Sequence, residues 1–138
     1  MITAILPFQT QGVHFRAEMQ YDELHPYELK FIFRVPCEEG DCTDNHDQEW
    51  IVGRDLVSEG VDSELWVGFG DFKIRRNSHN SIEVALSSNE NGHEVVAVVT
   101  VPRRPLRDFV RRTYTVVDAG KEHEHLDWDA FDAERVTW

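Results

Sequence analysis

The sequence predicts an α+β fold: β-rich antiparallel sheets with a long helix in the C-terminal half, the outline of a helix-decorated barrel. Three observations lead there. From Val13 to Val101 the apolar residues mostly alternate with polar ones, the period of half-buried strands. After Pro102 the period changes to that of an amphipathic helix. The composition, 41% hydrophobic and 29% charged over 138 residues, is that of an ordinary globular chain long enough to bury a core. No repeat, low-complexity tract or internal linker divides it, so residues 1–138 read as one domain.

The elements follow in order. Val13, Phe15, Ala17, Met19 and Tyr21 alternate with His14, Arg16, Glu18 and Gln20, which makes a first strand. His25-Pro26 makes a turn, and Tyr27, Leu29, Phe31, Phe33 and Val35 form a second strand that Pro36 ends. A polar acidic loop runs from Glu38 to Gln48. Trp50 to Val52 read as a short strand, and Arg54 to Gly60 as a short helix closed by a glycine cap. Leu65, Trp66, Val67 and Phe69 pair as a strand with Phe72, Ile74 and Arg76, with Gly68-Phe69-Gly70 as a tight turn. Asn77 to Asn80 turn the chain into Ile82, Val84 and Leu86, and Asn91-Gly92 carries a hairpin signal. Glu94 to Val101 is nearly all apolar and reads as a central strand. Leu106, Phe109, Val110, Thr113, Tyr114 and Val117 then mark one helix face, with Pro105 in the first turn and Gly120 as the stop. Asp127 to Val136 read as a final short helix docked by Trp128, Phe131 and Val136.

The formal net charge is −12. A chain of that sign repels phosphate backbones and anionic membranes unless a local basic patch overrides it. The N-terminal Met-Ile-Thr-Ala-Ile-Leu-Pro-Phe lacks the basic region and the apolar length of a signal peptide. No apolar run approaches the roughly 18–20 residues of a membrane span. These features lead us to expect a cytoplasmic protein, in which Cys37 and Cys42 are two thiols in or near a loop.

Few clusters carry chemistry. Asp41, Asp44 and Asp47 do not fit the spacing of a calcium loop, so a solvated acidic loop is expected. In Lys121-Glu122-His123-Glu124-His125, the two histidines share a side if the tract is extended, with Asp127 or Glu122 beside them, but no third ligand and base complete a zinc hydrolase. No nucleophile elbow, phosphate loop or dinucleotide fingerprint occurs. No catalytic residue, metal site or cofactor is therefore expected. The remaining cluster is basic: Arg103, Arg104, Arg107, Arg111 and Arg112 crowd the predicted helix. Arg103, Arg107 and Arg111 lie four apart on one side and are the candidate partner-binding stripe, whose repulsion acidic neighbours in this chain or in a partner would relieve.

Taken together, several segments resemble the SsgA-like proteins of sporulating actinobacteria. Tyr21 followed by Pro26-Tyr27 resembles that family's Asp-Pro-Tyr segment, with His25 in place of the Asp. Trp50-Ile-Val-Gly-Arg54-Asp-Leu56-Val57-Ser-Glu-Gly60 resembles its Trp-x-Phe-x-Arg-x-Leu-Leu-x-x-Gly block. Gly70-Asp71-Phe72-Lys73-Ile74 resembles its Gly-Asp-Val-x-Ile strand. Phe109-Val110-Arg-Arg112-Thr113 with Val117, Gly120 and Glu122 resembles its Phe-Leu-x-Arg-Thr...Val-Pro-x-Gly-x-Glu block, with Asp118 where Pro is common. Asp127 to Phe131 resembles the tail Asp-x-Asp-x-x-Leu. The resemblance implies a non-enzymatic regulator of sporulation-specific cell division that positions the septum by binding division proteins such as FtsZ or a membrane-associated partner. It also implies a whirly-like module assembled as a homotrimer. The alternative reading is a single-stranded nucleic-acid-binding protein of whirly type, which requires aromatics and arginines on one exposed face.

Overall fold

The computed structural model describes residues 1–34, 47–90 and 92–126. The two cysteines, most of the acidic loop and the segment expected to form a last helix lie outside the described residues. Seven strands form one sheet: β1 (Ile2–Thr10), β2 (Val13–Tyr21), β3 (Glu28–Arg34), β4 (Gln48–Gly53), β5 (Phe72–Ser78), β6 (Ser81–Glu90) and β7 (His93–Pro102). Two α-helices, α1 (Arg54–Gly60) and α2 (Arg103–Val116), and a short 3₁₀ turn, Glu122–His125, complete the chain order. The strand order is β4-β3-β2-β1-β7-β6-β5, and every neighbouring pair is antiparallel. The fold is therefore β-rich α+β, and α2, at 14 residues, is a helix of about four turns.

The sheet curls on itself. β3 and β5 are five strand steps apart, and a flat sheet would hold them roughly 24 Å apart. Instead the rings of Phe31 on β3 and Phe72 on β5 meet at a centroid distance of 5.5 Å. Phe8, Phe15 and Phe33 continue this aromatic cluster on the same concave side, with Phe8 meeting Phe33 edge-on at 5.2 Å. The result is a half-barrel whose inside is the core: Leu6, Met19, Leu29, Ile74, Ile82 and Val84 are all buried there.

The two helices close the mouth. α1 leaves the edge strand β4 and leads back toward β5, and α2 follows β7 and packs on α1. Leu106, Phe109, Val110 and Thr113 are the buried face of α2, as the helical period predicts. The turn before β3 is held from inside: buried Tyr21 donates its hydroxyl to the Pro26 carbonyl at 2.9 Å. The Arg54 amide then donates to the Tyr27 carbonyl at 2.8 Å and starts α1 against the same turn.

Four expectations change. A strand, β1, precedes Val13; it pairs along its whole length with β2, its Leu6 and Phe8 turned inward and Ile5 and Pro7 outward. Leu65 to Phe69 make no strand, only a bridge between Val67 and Ile74. Gly68 and Gly70 take positive φ of 117° and 68°, which turns Leu65 and Phe69 out to solvent. β7 is central in the order, yet its ladder to β1 consists of the single pair Gln9–Thr100, and Val95, Val96 and Val98 are exposed. Gly60 is not a left-handed cap; it is absent from the positive-φ residues, and a Cβ there would collide with the Ile74 side chain. Its small size lets α1 lie directly on β5.

Candidate partner-binding face

α2 presents its five arginines at different depths, and helix geometry explains why. Steps of four residues advance about 400°, so each drifts about 40° from the last. Arg103 therefore lies on the margin of the buried arc, Arg107 at its border and Arg111 outside it. Arg103 is 9% exposed, Arg107 half-buried and Arg111 exposed. Arg103 is engaged by its own chain. Its Nε donates to the Val61 carbonyl at 2.8 Å, and a terminal nitrogen donates to the Asp62 carboxylate at 2.5 Å. Of the stripe expected from sequence, Arg103 ties α2 to the end of α1, while Arg107 and Arg111 face outward. Arg104, exposed beside them, extends the outward set.

Charge pairing is sparse along this helix. Arg34, Arg54, Arg75 and Arg76 each pair with a carboxylate in their own neighbourhood. Among the described residues Arg104, Arg107, Arg111 and Arg112 have no such pair. Arg112 instead leans over the Phe109 ring at 6.0 Å. The Arg107 Nε is buried without a hydrogen-bond partner. Arg103, Arg104 and Arg107 together with His79 and Asn80 line a cleft where the β5–β6 turn meets the start of α2. The Arg103 amide donates to the Asn80 carbonyl at 2.9 Å and fixes that junction.

A second charged site holds the helices together. Arg54, the first residue of α1, is fully buried. One terminal nitrogen donates to the carbonyls of Thr113 at 3.1 Å and Val117 at 2.8 Å, at the end of α2. The other donates to the Glu122 carboxylate at 2.8 Å. The guanidinium also lies over the rings of Tyr114, at 4.0 Å, and Tyr21, at 5.1 Å. Gly120, at φ 82°, makes the turn that brings Glu122 back to this point. Burial raises the Glu122 carboxyl, but the backbone amide donors and the Arg54 guanidinium outweigh it and hold its pKa below the ordinary 4.5. Tyr114 donates its hydroxyl to Asp55 at 2.6 Å, and burial together with that carboxylate pushes its pKa up to about 12.

Arg54 and Glu122 stand in two of the motif blocks that the sequence shares with its look-alikes, and the structure joins them across 68 positions. No periodicity argument pairs residues that far apart; only the blocks' co-occurrence signalled them. His123 and His125 fall in the 3₁₀ turn, where residues two apart point in different directions, and not on one side of an extended strand. Among the described residues no three His, Cys, Asp or Glu side chains converge as a metal site. Among them too, no helix is long and apolar enough to cross a membrane.

Comparison with known proteins finds relatives of similar sequence and fold. The sporulation-specific cell division protein SsgB of Salinispora tropica is 33% identical over 117 residues, 83% of this chain and 74% of that protein. SsgB of Streptomyces coelicolor is 33% identical over 116 residues, 82% of this chain and 75% of that one. The crystal structure of an SsgA-like sporulation-specific cell division protein from Thermobifida fusca superposes with a TM-score of 0.74 at 27% identity, covering 98% of this chain and 95% of that one. The family model of the Streptomyces sporulation and cell division protein SsgA matches residues 15–122, a span that ends on the partner of Arg54. With a family model matched over most of the chain, relatives at 33% identity and a shared fold, the chain belongs to the SsgA family of sporulation and cell division proteins.

Proposed function

We propose that this protein is a non-enzymatic adaptor of sporulation-specific cell division. It acts at the division septum from the cytoplasmic side, by binding division proteins such as FtsZ or a membrane-associated septation factor. The carrying observation is the family relationship, which spans most of the chain and most of the SsgB proteins it matches. The distribution of charge supports the same reading. The most deeply buried charged groups, Arg54 and Glu122, are spent on tying α1, α2 and the 3₁₀ turn together. Among the described residues four of the five unpaired guanidinium groups, those of Arg104, Arg107, Arg111 and Arg112, are on α2; the fifth is Arg16 on β2. We place self-association as a homotrimer, and the whirly-like reading of the half-barrel, within the same proposal; sedimentation equilibrium of the purified chain tests the trimer.

The nucleic-acid alternative receives less support. Base stacking needs exposed aromatic rings beside the arginines. On α2, Phe109 is buried and Tyr114 is turned inward to Arg54 and Asp55.

The deciding experiment mixes the purified protein with FtsZ from the same host and centrifuges it with and without GTP-driven assembly. Co-pelleting that appears only with filaments is the expected result. A protein that stays in the supernatant in both conditions overturns direct FtsZ binding and leaves a membrane-associated factor as the partner to test.

A further inference from the structure

We propose that the cleft between the β5–β6 turn and the first two turns of α2 is a receptor for a short acidic segment of a partner protein. Arg104 and Arg107 act as its carboxylate forks, and Arg111 continues the track one turn further along the helix. The inference rests on the adaptor reading in one respect: it names the chemistry of the segment that such a partner presents.

Four observations carry it. The chain has 26 acidic against 14 basic residues, so an exposed arginine has many carboxylates available to it. Elsewhere most arginines take them, as Arg34, Arg54, Arg75 and Arg76 do, with Arg16 a lone exception on β2, yet Arg104, Arg107 and Arg111 on one helix have none among the described residues. The Arg107 Nε is a buried donor left without an acceptor among the described residues, as is the Arg54 Nε in the interior; of the two, that of Arg107 belongs to a side chain that lines the cleft and is only half-buried, where an oxygen from outside can reach its guanidinium. The helix start beside it is partly open: Pro102 provides no side-chain cap and the first turn of α2 holds no acidic residue, although the Arg103 amide is already taken by the Asn80 carbonyl. Finally, the site has a fixed floor. Arg103 is anchored to Val61 and Asp62, and its amide is bonded to Asn80, so the outer arginines stand on a rigid base.

The charge of the rest of the molecule selects the occupant. Exposed charges act over a Debye length of about 8–10 Å. A short acidic peptide fits within the local positive field. A nucleic-acid strand or an anionic bilayer extends well past it, over a surface whose net charge is −12, and is repelled there. The planar guanidinium fork suits a carboxylate, which it binds with two parallel hydrogen bonds.

The test uses the whole chain and three probes. They are a fluorescent peptide of alternating glutamate and alanine, vesicles of phosphatidylglycerol, and a thymidine oligonucleotide. A glutamine version of the peptide is the control. We expect saturable binding of the glutamate peptide alone. The Arg104→Glu/Arg107→Glu variant should weaken it about tenfold or more, the order expected when a close charge pair becomes a repulsion. Arg16→Glu, at another unpaired and exposed arginine far along β2, should leave it unchanged. Arg104→Gln/Arg107→Gln guards against a folding artefact, and unaltered circular dichroism and melting should accompany its loss of binding. Equal peptide affinity in the wild type and both double variants overturns the inference, as does preference for the oligonucleotide or the vesicles. The same variants in the filament assay separate the two proposals. Undiminished co-pelleting of the reversed variant rejects the cleft and keeps the adaptor; peptide binding without co-pelleting keeps the cleft and rejects FtsZ as its source.

Discussion

Arg54 decides more of this structure than any other side chain. Its burial is costly, because a guanidinium loses water that only strong partners replace. Three carbonyl or carboxylate acceptors for its terminal nitrogens and two ring faces supply those partners, while its Nε has no acceptor among the described residues. Removing one side of such a pair leaves the other charge buried and unmatched. Arg54→Ala should therefore lower stability by about 3–5 kcal/mol, read as a fall in the urea midpoint. Acid adds a second check. Glu122 has a folded pKa below its ordinary 4.5, so it binds fewer protons when folded than when unfolded. Its stabilisation is complete above that ordinary value and is lost as the pH falls through the folded one. The wild type should lose stability on acidification below about pH 4.5 more steeply than Glu122→Gln, in parallel urea titrations. Tyr114 acts at the other end: its raised pKa makes its contribution complete below 10 and lost as the pH climbs to about 12.

At the scale of elements, period and burial agreed along the middle of the strands but not at Val13 and Tyr27, which are exposed, or Ile32, which is buried. Ala17, Met19 and Tyr21 on β2 and Ile82, Val84 and Leu86 on β6 point inward as their alternation predicts. Reading failed where a run of apolar residues did not report its environment. Glu94 to Val101 looks like a core strand, but its register leaves only Val99 and Val101 over the barrel interior. Leu65 to Phe69 is just as apolar, and beside two positive-φ glycines Leu65 and Phe69 face outward while Val67 stays against the core. β1 hid because a proline interrupts it; Pro7 is turned to solvent, facing Arg16 across the ladder. The candidate site was half legible: the arginines and their helical spacing are in the sequence, whereas the engagement of Arg103 by Asp62 depends on a contact 41 positions away. The division of β7 makes a direct comparison. Val96→Thr, at a valine 56% exposed, should change stability by less than about 0.5 kcal/mol. Val99→Thr, 3% exposed, buries a hydroxyl and should cost about 1–3 kcal/mol by the same thermal melt.

The whole molecule depends on the sheet closing toward itself. Phe72 is the contact that brings the last strand in the order to the second, and it is 5% exposed. Phe72→Ala should cost about 3–5 kcal/mol in chemical denaturation. Phe69→Ala, three residues earlier but 95% exposed, should be within about 0.5 kcal/mol of the wild type. A small loss at Phe72 would mean that the curl does not depend on this aromatic seam. The net charge of −12 works against any compact shape, and added salt should raise the melting temperature of the wild type through screening.

The Arg54–Glu122 bond also sets an order of events for a chain being made on the ribosome. Residue 54 emerges early, with β2, β3 and β4 able to pair behind it. Its counter-ion follows only 68 residues later, after α2. Until Glu122 has left the tunnel, the nascent chain holds a cation that cannot be buried without loss, so the mouth of the half-barrel must stay open. Nascent chains held on the ribosome by C-terminal spacers that keep Glu122 inside or place it outside the tunnel should differ sharply in resistance to protease, with the final locking of the fold deferred to nearly the last stretch of the family's shared sequence.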